Sequence, residues 1–285
     1  MLKTGIISTA YFGFDDYALG MQKLREHGYD GFDFQGLTSI ENAPLYKMSE
    51  EEFSQYLTNV RKCAEENGLQ IHQLHGAWPH VDDLTEEGRA ATIEYFKKDI
   101  LGAHYLGCPR VIVHPCMFKG WGKGTREEMF DINVQLLRSL QPYAEKYGVT
   151  VCLENMPFLK EFAFSSIAEL KAVIREVNSP FIKICLDTGH LNTSKEDMYE
   201  ALLLLGEDLS ALHVHDDRFG QDRHLIPFQG EVDWDKFIKG LRDISFQGCI
   251  SLETSIHEKT PQPMKEEMQK QLANIAKYFA KEISR

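Results

Sequence analysis

Four short apolar runs in the second half of the chain end in a residue that can bind a cation or move a proton. They read Val151-Cys152-Leu153-Glu154, Ile184-Cys185-Leu186-Asp187, Ala211-Leu212-His213 and Cys249-Ile250-Ser251-Leu252-Glu253. In a β-strand, side chains alternate between faces with period two. The large aliphatics then share one face, and Glu154, Asp187, His213 and Glu253 share the other. Two residues before each polar group lies a small one, Cys152, Cys185, Ala211 or Ser251, on the same face. Two earlier runs follow suit: His75 ends one after Leu74, and His114 follows Val111-Ile112-Val113. A single strand-end histidine or glutamate is ordinarily satisfied by a neighbour. Six in succession are harder to explain that way, because buried charges pair or bind metal. Three carboxylates with one imidazole form an oxygen-rich donor set for Mn²⁺, Mg²⁺ or Co²⁺, and Zn²⁺ also fits. His190, three residues after Asp187, and the pair Asp222 and His224 are further metal or substrate contacts, as are His75 and His114.

To bring these ends to one place the chain needs a regular scaffold. Strands are predicted near 4–8, 30–34, 70–75, 110–114, 149–154, 182–187, 210–215 and 248–253. Helical patterns lie near 15–28, 49–67, 86–106, 125–147, 165–177, 195–205, 233–243 and 265–282. Ser49, Thr85 and Thr125 each precede acids, a pattern that caps orphan amides and suits the helix dipole. Gly68 and Gly148 stand where helices should stop, directly before strands. Eight strand–helix units in 285 residues predict a single α/β domain over 1–285, a (β/α)8 TIM barrel. A doubly wound open sheet is the alternative. In a barrel, strand carboxyl ends build the active face.

Composition narrows the function classes. Lys plus Arg number 31 and Asp plus Glu 43, a net charge of −12. That balance argues against broad affinity for nucleic acid or anionic membrane. The first residues lack the apolar run of a signal peptide, and the aliphatic cluster 201–205 is too short to span a bilayer. The six cysteines are scattered without a Cys-x-x-Cys pair. A reducing cytoplasm is the simplest setting for them. No helix seam sets an oligomeric state, so homo-oligomerisation stays open.

Several motifs carry a resemblance. Leu153-Glu154-Asn155, Cys185-Leu186-Asp187-Thr188-Gly189-His190, Leu212-His213-Val214-His215-Asp216, Asp222-Arg223-His224, Asp233-Trp234 after Gly230 and Leu252-Glu253-Thr254 stand in this order. The series resembles the sugar phosphate isomerase/epimerase family of the xylose isomerase-like barrel superfamily, AP endonuclease family 2, which also contains endonuclease IV. It covers roughly residues 70–255, and order and spacing carry more weight than any one motif. The resemblance implies that Glu154, Asp187, His213 and Glu253 hold one divalent metal. It also implies that Glu154 and Glu253 act as acid and base, with His190 touching substrate. One departure bears on substrate recognition: where the family often has Pro-Gly-x-Gly, this chain has Pro227-Phe228-Gln229-Gly230, predicting a different turn or a narrower pocket.

The expected chemistry is proton transfer α to a carbonyl of a small keto sugar, sugar phosphate or keto polyol. A base must reach the C–H, a Lewis acid must stabilise the enediolate, and an acid must return the proton. Epimerisation and isomerisation use the same parts. An inosose dehydratase-like lyase on a keto polyol would instead protonate a leaving hydroxyl. An endonuclease IV-like phosphoesterase acting on abasic DNA is the chief competitor, because His75, His114, His190, Asp222 and His224 fall where the extra ligands of a three-zinc site would stand. Against it, the loops after the first strands hold Asp15, Asp16, Glu41, Asp82 and Asp83 and few bases. A non-catalytic sugar-binding or metal-binding protein would need no acid–base pair. Weaker candidates are Trp121, in a glycine-spaced loop that could stack on a sugar, and Arg218, which could bind a hydroxyl or phosphate or pair with a nearby acid. Trp234 reads as a helix anchor, and His72 as a residue facing away from the barrel axis.

Overall fold

The computed structural model describes residues 1–78, 85–116, 125–158, 164–254 and 256–285. Eight parallel strands alternate with helices: β1 Lys3–Ile7, β2 Gly31–Phe34, β3 Gln70–His75, β4 Arg110–Val113, β5 Thr150–Glu154, β6 Ile182–Asp187, β7 Leu209–His213 and β8 Cys249–Leu252. Neighbours run in chain order from β1 to β7, and β1 also pairs with β8. Val214 closes the ring against Leu252: its N–H donates to Ser251 O at 2.8 Å and its carbonyl accepts from Glu253 N at 3.0 Å. The sheet is a barrel, and the open alternative is excluded.

Helices α1 Tyr17–His27, α2 Glu50–Glu66, α3 Glu86–Leu106, α4 Arg126–Tyr147, α5 Ile167–Val177, α6 Thr188–Ser194, α7 Met198–Leu205, α8 Trp234–Asp243 and α9 Gln262–Ile283 follow the predicted segments closely, α6 excepted. Ser49 and Thr125 form capping boxes with Glu52 and Glu128, and the Thr85 hydroxyl accepts from Gly88 N. Leu153, Leu186, Leu212 and Leu252 are buried in the core with the helices. Inside the barrel, Ile112, Cys152, Cys185 and Ala211 form a separate small cluster. Three of the four small residues expected beneath the polar strand ends, Cys152, Cys185 and Ala211, lie in it with Ile112, while the fourth, Ser251, meets His72.

Two local features differ from the sequence reading. Asp187 ends β6 and caps α6 at once, its Oδ1 accepting from His190 N at 2.7 Å. With no loop between strand and helix, the pattern around 188–194 gave no separate signal. In β3, Phe32 pairs with Ile71 but Asp33 with Gln73, a one-residue slip. The bulge turns His72 inward rather than away from the axis, with Nε2 3.0 Å from Ser251 Oγ. A Cβ on Gly5 would lie 2.1 Å from the His72 ring, so the barrel floor needs glycine there. Among the described residues no helix is long and apolar enough to cross a membrane.

Candidate functional site

Strands β5, β6, β7 and β8 deliver Glu154, Asp187, His213 and Glu253 to one point at the carboxyl mouth. One donor atom from each lies within 4.8 Å of the others. His213 is the hub: its Nδ1 is 2.7 Å from Glu154 Oε1 and 3.1 Å from Glu253 Oε2. Its Nε2 faces the opposite way, 3.0 Å from Asp33 Oδ2. Glu253 Oε1 accepts from Gln35 Nε2 at 3.3 Å and lies 3.5 Å from His75 Nε2. Glu154 Oε2 lies 3.2 Å from His114 Nε2. Despite these close approaches, the Oε2 atoms of Glu154 and Glu253 are buried with no hydrogen bond of good geometry among the described residues. Orphaned buried carboxylate oxygens are costly, and a cation is the partner they lack. The residues therefore fit a divalent ion by donor type, number and proximity.

The other predicted contacts gather around this centre. The His75 ring stacks on His213 with centroids 5.1 Å apart, and Trp78 packs against His114 at 4.3 Å. Thus His75, His114 and Glu154 form one adjoining donor group. On the other side His190, His215, Asp222 and His224 form a second. His190 donates from Nδ1 to Asn155 O at 2.8 Å, which leaves Nε2 3.5 Å from Asp222 Oδ1. His224 Nε2 is 3.3 Å from the same oxygen, and its ring stacks on His215 with centroids 4.0 Å apart. Gly189 allows this packing, since a Cβ there would lie 2.0 Å from the His215 ring.

Electrostatics divide the centre. Burial pushes Glu154 upward, but His213 and His114 outweigh it and hold the carboxyl well below its ordinary range. Burial likewise acts against Asp187, and His190 and His215 overcome it. Glu253 goes the other way: burial raises it, and repulsion from Glu154 and Asp187 adds to the rise. A cation among these donors would pull Glu253 back down, since positive charge favours the carboxylate. His75 is driven down to about 4 by burial, so its ring is neutral at neutral pH. Against burial, the charges of Asp187 and Asp222 raise His190 to about 9.

Some predicted residues fall elsewhere. Trp121 lies outside the described residues. Arg218 is exposed, and its guanidinium forms no ion pair among the described residues. Phe228 occupies the left-handed backbone that a glycine would favour, with φ of +75°. Its ring stacks on Phe279, 5.4 Å between centroids. The substitution therefore keeps a left-handed turn, and the ring packs on α9 instead of narrowing the pocket. Trp234 anchors α8 as expected, donating from Nε1 to Asp216 Oδ2 at 3.1 Å. Three residues at the centre had no role in the sequence reading: Asp33, Gln35 and His215. Their partners lie on strands or loops distant in sequence; a parity signal is carried by His215, two positions after His213, and by Asp33, which alternates with Phe32 and Phe34.

Known proteins share this arrangement of elements. A D-psicose 3-epimerase of Enterocloster bolteae is 25% identical over 249 residues, covering 84% of this chain and 77% of that protein. A protein named "Probable endonuclease 4" from Acholeplasma laidlawii is 24% identical over 222 residues, covering 72% of this chain and 74% of that protein. The crystal structure of D-psicose 3-epimerase with D-tagatose from Clostridium cellulolyticum H10 superposes with a TM-score of 0.80 at 17% identity, covering 98% of this chain and 99% of that one. The xylose isomerase-like TIM barrel family matches residues 21–277, the barrel from α1 to α9. The chain belongs to that family.

Proposed function

We propose that this chain is a divalent-metal-dependent epimerase that moves the proton α to the carbonyl of a small ketose. The observation that carries the reading is the pair Glu154 and Glu253. They reach the centre from β5 and β8, with two strands between them, and each keeps one buried oxygen free of hydrogen bonds among the described residues. Glu154, Asp187, His213 and Glu253 would hold the ion. Bound there, a divalent metal supplies Lewis-acid polarisation of a carbonyl and an adjacent hydroxyl.

The side chains have separable tasks. One glutamate removes the proton from one face of the carbon, and the other returns a proton to the opposite face. General acid–base help of this kind contributes about 10²–10⁴-fold. In the metal-free chain His114 and His213 hold Glu154 as the carboxylate. Gln35 and His75 face Glu253 Oε1 and fix the carboxyl plane. His190 Nε2, close to Asp222, is placed to hold a substrate hydroxyl. Trp78, about one-third exposed beside His114, can wall the pocket.

Relatives named as psicose epimerases make ketohexoses the first probes. The manganese-loaded protein incubated with D-fructose, D-tagatose or D-psicose in D₂O should yield the epimer, with deuterium on the carbon next to the carbonyl. Glu253→Gln should retain the metal and lose both exchange and turnover. Turnover without solvent exchange would point to a hydride shift and contradict the acid–base assignment.

A second reading rests on the two adjoining donor groups, which would let the centre take up to three zinc ions. Such a site would suit hydrolysis of a phosphodiester in abasic DNA. Three ions per chain together with nicking of an abasic duplex would favour it. One ion and no nicking favour the epimerase.

A further inference from the structure

Asp33, near the end of β2, is wholly buried and lies across the barrel from His213. Its Oδ2 accepts from His213 Nε2 and from Gln73 Nε2, both at 3.0 Å. The same Gln73 amide reaches Leu212 O at 3.2 Å, one residue before His213. Asp33 is thus tied to β7 twice, through the ring and through the backbone beside it. The β3 bulge makes this contact, because it sets Gln73 opposite Asp33 with both facing inward. A fourth buried carboxylate beside Glu154, Asp187 and Glu253 is costly unless it does something for the group.

A neutral imidazole carries its proton on one nitrogen and a lone pair on the other. In this structure both ring nitrogens face carboxylates, Nε2 at Asp33 and Nδ1 at Glu154; an ion seated among the donors would replace the Nδ1 proton, leaving the remaining proton on Nε2 with Asp33 and the lone pair on Nδ1. Nδ1 is the nitrogen that faces Glu154 and Glu253. We infer that Asp33 is a positioning residue for the metal site, fixing His213 as the Nε2–H tautomer and turning its Nδ1 lone pair toward the ion. The inference rests on the proposed metal-dependent reading of the site and concerns ion binding rather than turnover. Partners of this kind orient a ligating histidine and raise its basicity, and losing one typically weakens metal binding about 10–100-fold. Asn at this position keeps the volume but can present an N–H₂ to Nε2, which releases the tautomer.

The test is Mn²⁺ titration of wild-type protein and Asp33→Asn, with far-UV circular dichroism of both metal-free forms. It is paired with ¹⁵N-histidine spectra of the Mg²⁺-loaded proteins. Wild type should show His213 protonated at Nε2 only, and Asp33→Asn should lose that signature and bind Mn²⁺ about 10–100-fold more weakly. Gln73→Leu, which keeps the carboxylate and removes its clamp, should give a smaller loss in the same direction and serves if Asp33→Asn does not fold. A folded Asp33→Asn with wild-type affinity overturns the inference, as does an unchanged Gln73→Leu if Asp33→Asn fails to fold. A wild-type spectrum with the proton on Nδ1 overturns it as well. A wild-type chain that takes up no ion overturns both this inference and the metal-dependent function. A chain that binds as described yet leaves every ketohexose untouched contradicts only the function.

Discussion

Two groups of buried carboxylates stand close together at the carboxyl mouth and are treated in opposite ways. Asp216 and Asp217 follow β7 and spend every oxygen on N–H donors. Asp216 Oδ1 accepts from the backbone of Asp217 and Val232, and its Oδ2 from the Trp234 indole. Asp217 accepts from the backbone of Arg218 and Arg223. On the barrel axis, Glu154 and Glu253 each keep a buried oxygen without a hydrogen bond among the described residues. Burial of an acid is therefore no sign of function by itself. The informative feature is a buried acid whose fold does not satisfy it.

Replacing an acid of the proposed ion site and one outside it should separate them; Asp187 shares that site with Glu154 and Glu253 although its own oxygens meet His190 N and His215 Nε2. Asp187→Ala should abolish stoichiometric uptake of Mn²⁺. It should leave the barrel folded, at a cost of about 1 kcal/mol for the lost cap on α6 and about 1–3 kcal/mol for the buried His215 ring left without its partner. Asp216→Ala should do the reverse. It leaves the Trp234 indole N–H and the Val232 amide without acceptors, at about 1–3 kcal/mol each. The melting temperature should fall by several degrees while the affinity for Mn²⁺ stays at the wild-type value. Isothermal titration and thermal unfolding of the two variants check both halves. Metal binding lost from Asp216→Ala and kept in Asp187→Ala would break the comparison.

A third buried acid sharpens it at smaller scale. Asp99 on α3 accepts from Ala77 N at 2.9 Å and lies 2.5 Å from Tyr46 Oη. The phenol oxygen also lies 2.9 Å from Leu37 O. Tyr46 Oη donates to Asp99 Oδ1, and burial pushes the carboxyl up to about 7 from 3.8 against that bond and the one from Ala77 N. A group raised in the folded state contributes stability that is full below its unfolded pKa and is lost as pH rises through the folded one. For Asp99 that window runs from about pH 4 to about pH 7. Asp99→Asn copies the protonated acid at every pH. Its stability should gain on the wild type, by a few kcal/mol in order of magnitude, between pH 4 and pH 8. Denaturant midpoints measured across that range check this, and parallel pH profiles would contradict it.

How much of this was legible in the sequence depends on the kind of contact. The pairs Cys152/Glu154, Cys185/Asp187, Ala211/His213 and Ser251/Glu253 could be read because strand parity is local and repeats four times. The barrel followed from alternation and caps for the same reason. Asp33 carries the same parity, with Phe32 and Phe34 on the helix side and Gly31 two residues before it, but nothing local in this short strand names its partner. Its partner His213 is 180 residues away. His72 was placed on the wrong face because the bulge beside it breaks the parity on which the reading depended. The α6 helix was invisible because Asp187 is both the last residue of a strand and the cap of the next helix.

The most direct test of the central claim is anomalous diffraction from crystals of the manganese-loaded protein, with metal content measured on the same preparation. The account predicts one ion per chain, bonded to Glu154, Asp187, His213 Nδ1 and Glu253. A site filled only among His190, His215, Asp222 and His224, or His213 bound through Nε2 with Asp33 turned away, would contradict it.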